Sequence, residues 1–248
     1  MGLGLGNSVS NAVYSQADYA VTRSVSLDGT DDHIVITNSV ADDIKNIGSM
    51  SIWHKLETAN QNDTIMNLHT GTNNDNKIAI LFINQGGSEL IRINCRGASS
   101  NTILDHNYSA SDSVSNGWTH FVATWNRTAN EINMYLDGTR VANSTASINA
   151  FATTADTIYI GKPGNANNAF FQGHFSSLSL FNEAISGTSV STLYNGGSAN
   201  LDVQTAGIDG LVAFLPLDER EGNFIDQTST GADGVPTNTP TQGVEDVP

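Results

Sequence analysis

Most of the chain between residues 24 and 217 consists of short runs in which apolar and polar side chains alternate. A period of two marks a strand with one face in a core and the other turned away from it. The pattern holds in 24–27, 33–36, 50–56, 64–68, 90–93, 118–125, 131–136, 157–160 and 170–181. Residues 78–83 are apolar on both faces, which predicts a strand in the middle of a packed sheet. Asp28-Gly29 and Asp137-Gly138 sit between alternating runs and predict hairpins or tight turns, because glycine supplies the positive φ such turns need. A last strand covers 210–217, with Pro216 placed at its end or on a sheet edge because proline cannot donate to a ladder. Only 188–194 looks helical, with Val190, Leu193 and Tyr194 to one side and a glycine cap at Gly196-Gly197. About a dozen short strands and one short helix predict an all-β fold, a two-sheet antiparallel jelly-roll sandwich. Residues 1–22 read as an N-terminal arm, 23–225 as the jelly-roll domain and 226–248 as a Thr/Gly/Pro tail.

Composition sharpens this picture. The 248 residues suffice for one domain with its own core. Charged residues are only 14% and hydrophobic ones 38%, so the remainder is Asn, Ser, Thr and 23 glycines, which suits turns better than long amphipathic helices. Ten basic residues against 25 acidic ones give a net charge of -15, and no Lys/Arg cluster interrupts it. Such a chain repels phosphate backbones, so nucleic acid is not an expected partner. No run of apolar residues is long enough for a membrane-spanning helix, and a membrane is not an expected partner either. Cys95 is the only cysteine, which excludes an internal disulfide and reads as a small strand residue filling a gap. Residues 1–6 have neither a basic region nor a continuous apolar one, so no secretory signal is expected.

Candidate chemistry is sparse. Glycoside hydrolysis needs two carboxylates on facing positions. The one close acidic cluster in sequence, Asp218-Glu219-Arg220-Glu221, lies between Pro216 and Gly222 and reads as a turn. The six histidines have no metal-site spacing, and no Gly-x-Ser-x-Gly elbow occurs. An enzyme is therefore not expected. Carbohydrate recognition needs aromatic platforms and amides; the amides lie in loops 70–76 and 163–168, which makes Asn73, Asn74, Asp75, Asn165, Asn167 and Asn168 the candidate contacts. Trp53, Trp118 and Trp125 fall inside strands and read as core.

One family accounts for the order of these segments. Trp118-Thr-His120-Phe-Val-Ala123, then Tyr135-Leu-Asp137-Gly138, Ile160-Gly161, Phe171-Gln-Gly173 and Leu193-Tyr194-Asn195 follow one another as in the laminin-G-like, concanavalin-A-like jelly-roll superfamily. Ser26-Leu27-Asp28-Gly29 and Ser49-Met-Ser-Ile-Trp53 resemble its opening strands. One departure is that Gly210-Leu-Val-Ala-Phe214, which precedes the rest in many members, stands here near the C-terminal end. The sequence calls for no cofactor. The resemblance raises calcium, held in turns, with Asp28, Asp31, Asp32, Asp226 and Asp233 as oxygen donors, although such residues are first explained by local hydrogen bonds. The chain ends and strand order are also similar to virion proteins of tailed, particularly marine, bacteriophages. That second resemblance implies a non-enzymatic virion protein, made in the host cytoplasm without a signal and decorating a capsid or tail. Its arms would dock on other virion proteins or on copies of itself, the N-terminal one reaching up to roughly 70 Å if extended. The alternative is a lectin module that binds surface glycans for host attachment.

Overall fold

The computed structural model describes residues 20–59, 61–69, 76–86, 88–97, 100–108, 117–151, 153–164 and 169–248. Among the described residues, fifteen strands form two antiparallel sheets, the predicted jelly-roll sandwich. The first sheet runs β10 (Thr139–Ser144), β9 (Glu131–Leu136), β8 (Thr119–Asn126), β3 (Ile47–Leu56), β12 (Gln172–Phe181), β1 (Ser24–Asp28) and β15 (Thr241–Val244). In it, β13 (Leu211–Leu215) shares one edge of β12 with β1. The switch between these partners falls at a bulge: Ser177 takes φ +49°, and its N–H leaves the ladder to meet the Pro216 carbonyl at 2.9 Å. The second sheet runs β14 (Gly234–Thr237), β2 (His33–Thr37), β11 (Thr157–Ile160), β4 (Asp63–His69), β5 (Lys77–Gln85), β6 (Ser88–Gly97) and β7 (Ser100–Asn107).

The alternation read from sequence decides which residues meet between the sheets. Ile34 and Ile36 from one sheet and Val25, Leu27, Met50 and Ile52 from the other are buried in one apolar cluster. Trp125, Phe82, Phe121, Phe171 and Phe175 are its largest members. Burying each such ring contributes about 1.5–3 kcal/mol. At one end of the sandwich the buried Arg127 lies over the Phe151 ring and donates to the carbonyls of Lys45, Asn149, Lys77 and Arg96. Its charge is thus solvated by main-chain oxygens contributed from both layers, although burial still pulls its pKa down.

Several expectations change. The predicted hairpin at Asp137-Gly138 is present: both residues have positive φ, +46° and +75°, and Leu136 faces Thr139 across a two-residue turn. Asp28-Gly29, however, turns the chain from the first sheet into the second, so β1 and β2 do not pair. The 226–248 segment is not a free tail, because β15 pairs with β1 and β14 with β2, placing one strand in each sheet. Its Thr/Gly/Pro composition hides this, since both are edge strands with few buried side chains. A five-residue helix, α1 (Val40–Ile44), is also present; one turn is too short to show a helical period. The helix expected at 188–194 is α2 (Gly187–Tyr194), capped by Ser186 and closed by left-handed Asn195 instead of a glycine. Finally, β5 has a neighbour on each side, but only one of its faces is fully buried: Ile78, Ile80 and Phe82 point into the core, while Leu81 and Ile83 stay half-exposed on the other.

Candidate functional site

The outer face of the first sheet is covered. Val190 and Leu193 of α2 pack on Val122, Tyr135, Phe181 and Phe214, with Leu201 and Val203 beside them. Next to this lid, Trp53 stacks on Tyr194 at 5.8 Å and lies 4.9 Å from the His120 ring. Both ends of the described chain reach the same cluster, where Val21 and Val247 join Trp53, Trp118 and Ala199. Trp118 donates its indole N–H to Asp246 at 3.0 Å, and Lys55 pairs with the same carboxylate at 2.6 Å. Trp53 and Trp118 therefore hold the helix and the C-terminal segment, while Trp125 is the one in the core.

Among the described residues, no helix packs on the outer face of the second sheet. Strand register runs one row across it: Val235, Val35, Tyr159, Asn67, Ala79, Asn94 and Ile103 face one another in turn. The row ends on two exposed apolar residues, Val235 at 45% and Ile103 at 40%. At its centre is the half-exposed ring of Tyr159. His69 stacks on that ring at 5.6 Å, His33 approaches it at 6.3 Å, and Phe170 lies 6.1 Å beyond His33. The Lys162 ammonium sits 4.8 Å over the Tyr159 ring. The adjacent row places His69, Lys77 and Arg96 side by side. Burial is the first cause that holds the His33 and His69 imidazoles below their ordinary pKa, and Lys162 adds to it at both. Asn67 Oδ1, Asn94 Oδ1 and His69 Nδ1 are buried atoms without a hydrogen-bond partner among the described residues. At Gly164 the backbone comes close to the sheet, since a Cβ there would lie 2.0 Å from the Asn67 amide nitrogen.

The candidate contacts Asn73, Asn74, Asp75, Asn165, Asn167 and Asn168 lie outside the described residues. The stems of their two loops do converge, because His69 and Lys162 both rest on Tyr159. Sequence reasoning missed the sheet face between them. Its signal was Tyr159 alternating with the buried Ile158 and Ile160. Two of the histidines, scattered in sequence, come together, His33 and His69 at Tyr159; His54 and His120 are fully buried on opposite faces of the first sheet, and burial pushes both down to about 3.

Of the calcium donors, Asp28, Asp31 and Asp32 each bring one oxygen within 4.8 Å of the others. Asp28 Oδ1 already accepts the backbone N–H groups of Thr30, Asp31 and Asp32, led by Thr30 at 2.8 Å, which keeps its carboxyl below the usual range. Asp32 accepts from Asp28 and Thr239. Asp28 Oδ1 and both Asp32 oxygens are thus engaged as in an Asx-type turn, which leaves Asp28 Oδ2 and the Asp31 carboxylate as the oxygens of the group without such donors. Asp226 and Asp233 stand apart from it: Asp226 accepts from Phe214, Thr228, Thr230 and Ala232, and Asp233 from Asp226.

One acidic pair escaped a search along single strands. Asp63 on β4 and Glu89 on β6 both face the space between the sheets, separated by β5. Burial pushes Asp63 up to about 7; a hydrogen bond from the Gln172 N–H opposes this and the nearby Glu89 charge adds to it. Both residues are buried, at 2% and 3% exposure, so neither presents a carboxyl to a polymeric substrate. Ser51 Oγ and His120 Nε2 lie 2.8 Å apart, yet they too are buried and His120 Nδ1 has no partner to orient it. A Ser–His pair without that third group lacks the triad's geometry.

With this geometry in view, the comparisons with known proteins are decisive for the family. The model of the concanavalin A-like lectin/glucanases superfamily matches residues 28–191. The chain belongs to that superfamily. Among curated proteins no sequence match is found. This concanavalin A-like chain shares its fold with the native heptameric SAP-like pentraxin of Limulus polyphemus, with a TM-score of 0.64 and 17% identity over 91% of this chain and 96% of that one. A carbohydrate binding protein, so described provisionally, from Bacteroides ovatus ATCC 8483 gives 0.58 and 15% over 89% and 60%. The CBM40 module of the Ruminococcus gnavus IT-sialidase, bound to alpha2,3 sialyllactose, gives 0.54 and 14% over 71% and 99%.

Proposed function

We propose that this protein is a non-enzymatic carbohydrate-binding module that takes saccharides on the outer face of its second sheet. The observation that carries the reading is Tyr159, half-exposed at the centre of that face beside the half-exposed His69 and Asn94, with the buried His33 and Asn67 beneath them. A pyranose has one apolar face and a rim of hydroxyls. Flat rings receive the first by stacking, and amides, which both donate and accept, match the second. The carbohydrate binding described for the superfamily neighbours from Bacteroides ovatus and Ruminococcus gnavus supports it. The burial of Asp63 and Glu89, an acidic pair set on β4 and β6, supports a role without hydrolysis. A glycan array read with the parent and with Tyr159→Ala tests the reading. Binding by the parent that the variant loses is expected; no glycan bound, or a variant that binds as the parent does, overturns it.

Display on a bacteriophage particle is a second proposal, favoured by the position of the chain's ends. Val21 and Val247 lie on the α2 side, opposite the Tyr159 face. Anchoring through the segment that precedes residue 20 would turn the saccharide-binding face outward. Only the N-terminal arm serves as a strap here, because residues 234–244 are built into the sheets. Co-purification with phage particles, lost on deletion of residues 1–19, is expected; particles that retain the deleted form contradict it.

A further inference from the structure

We propose that the Tyr159 face selects saccharides bearing an isolated anionic group, a carboxylate or a sulfate, and that Lys77 and Lys162 make the selection. This rests on the carbohydrate reading above and specifies its ligand. The chain has 10 basic residues against 25 acidic ones. Four of the ten, Lys77, Arg92, Arg96 and Lys162, nevertheless gather at this one sheet face. Arg92 is neutralised there by Asp105, in register across β6 and β7 and 2.7 Å away. Lys77 and Lys162 have no carboxylate partner among the described residues.

Lys77 lies in register with His69 on one side and with Arg96, a like charge, on the other, which sets two cations opposite one another across β5 and β6. Burial, then the neighbouring Arg96, pulls the Lys77 ammonium below its ordinary pKa; Lys162 and Lys77 act in the same direction on His69. Asp31 and Asp32 lie by His33 and form no ion pair with Lys77 or Lys162. An anion held beside Tyr159, between Lys162 and Lys77, relieves this repulsion while its sugar ring stacks on the tyrosine. A neutral sugar gains only the stacking and the amide contacts. The surrounding net charge of -15 opposes densely charged polymers, so the group recognised is a single anion on a sugar and not a polyanion.

The test uses pairs of oligosaccharides that differ only by one uronic or sialic acid, or one sulfate ester, together with heparin as a dense polyanion. The full-length protein is expected to bind the acidic member about tenfold more tightly than its neutral partner, and the difference should shrink as salt rises from 0.05 to about 0.5 M. K77Q/K162Q should bring the acidic member down to the affinity of its neutral partner, with the melting temperature reporting that the variant is folded. Should the double variant fail to fold, Lys162→Gln alone with the salt series gives the same reading. Equal binding of both members overturns the inference and leaves carbohydrate binding standing. So does an acidic preference that survives high salt, or tightest binding to heparin. A protein that binds none of these saccharides, acidic or neutral, overturns both.

Discussion

Both sheets turn every second side chain away from the shared core, yet the two outer faces end differently. On the first, Val122, Tyr135, Phe181 and Phe214 are apolar and lie under α2, while Trp53 and Trp118 gather the ends of the described chain. On the second, the corresponding row is mixed: Tyr159 and Ala79 alternate with Asn67 and Asn94, and cations stand alongside. An apolar sheet face must be covered, and the chain covers it with its own helix. A mixed face of rings, amides and cations is stable in water without such a cover. The contrast separates the face that stabilises the fold from the face to which we assign binding.

The largest effect expected from breaking this contrast is on the covered side. Phe214→Ala should cost about 3–5 kcal/mol in urea unfolding, because a fully buried ring under α2 leaves a cavity. A cost below 1 kcal/mol would show that α2 is not a true cover. Next comes Gly138→Val, at about 2 kcal/mol: the residue needs φ +75°, and a Cβ there would lie 3.1 Å from Tyr194, the last residue of α2. A neutral result would mean the β9–β10 hairpin is not held against the helix.

Between the faces, pH sharpens the picture through groups of opposite sign. His54 and His120 are held near 3, below the unfolded value of 6.5, so stability they contribute above pH 6.5 is lost as pH falls towards 3. Asp63 is raised to about 7 from 3.8, so its contribution is complete below pH 3.8 and is lost as pH rises through 7. Asp63→Asn keeps the acceptor for the Gln172 N–H and should raise stability at pH 8 by roughly 2 kcal/mol while changing little at pH 3.5. Equal effects at the two pH values would place Asp63 in water.

Smaller still is Tyr159→Ala, expected to lower stability by about 1 kcal/mol or less, since the ring is half-exposed. A loss as large as that of Phe214→Ala would make Tyr159 a structural residue and erase the distinction between the faces. The smallest effect is from chelation. Excess EDTA should move the melting temperature by less than about 1 °C, because Asp28 Oδ1 and both Asp32 oxygens are engaged by backbone donors; a fall of several degrees would point to a bound cation.

Much of the fold was legible because it depends on local chemistry. Alternation located the central strands, and Asp137-Gly138 fixed a hairpin through the φ values it allows. What was not legible depends on register between distant segments. Thr241–Val244 carries little apolar signal and becomes a strand only because the exposed edge of β1 accepts it. Asp63 and Glu89 become neighbours only through the pairing of β4, β5 and β6, which no spacing reveals. The same holds for the functional face. Tyr159 was visible as an outward aromatic in 157–160, but its meeting with His33 and His69 requires the order β2, β11, β4. The stems of the amide-rich loops end at Tyr159, while their tips lie outside the described residues.

The central claim, that the second sheet's open face is where ligand binds, is tested most directly by following backbone amide resonances while titrating the tightest-binding glycan from the array. The account predicts shifts concentrated at Val35, Asn67, His69, Ala79, Asn94 and Tyr159, with the amides of Gly187–Tyr194 unmoved. Shifts that instead cluster on α2 and around Trp53 and Trp118 would contradict it.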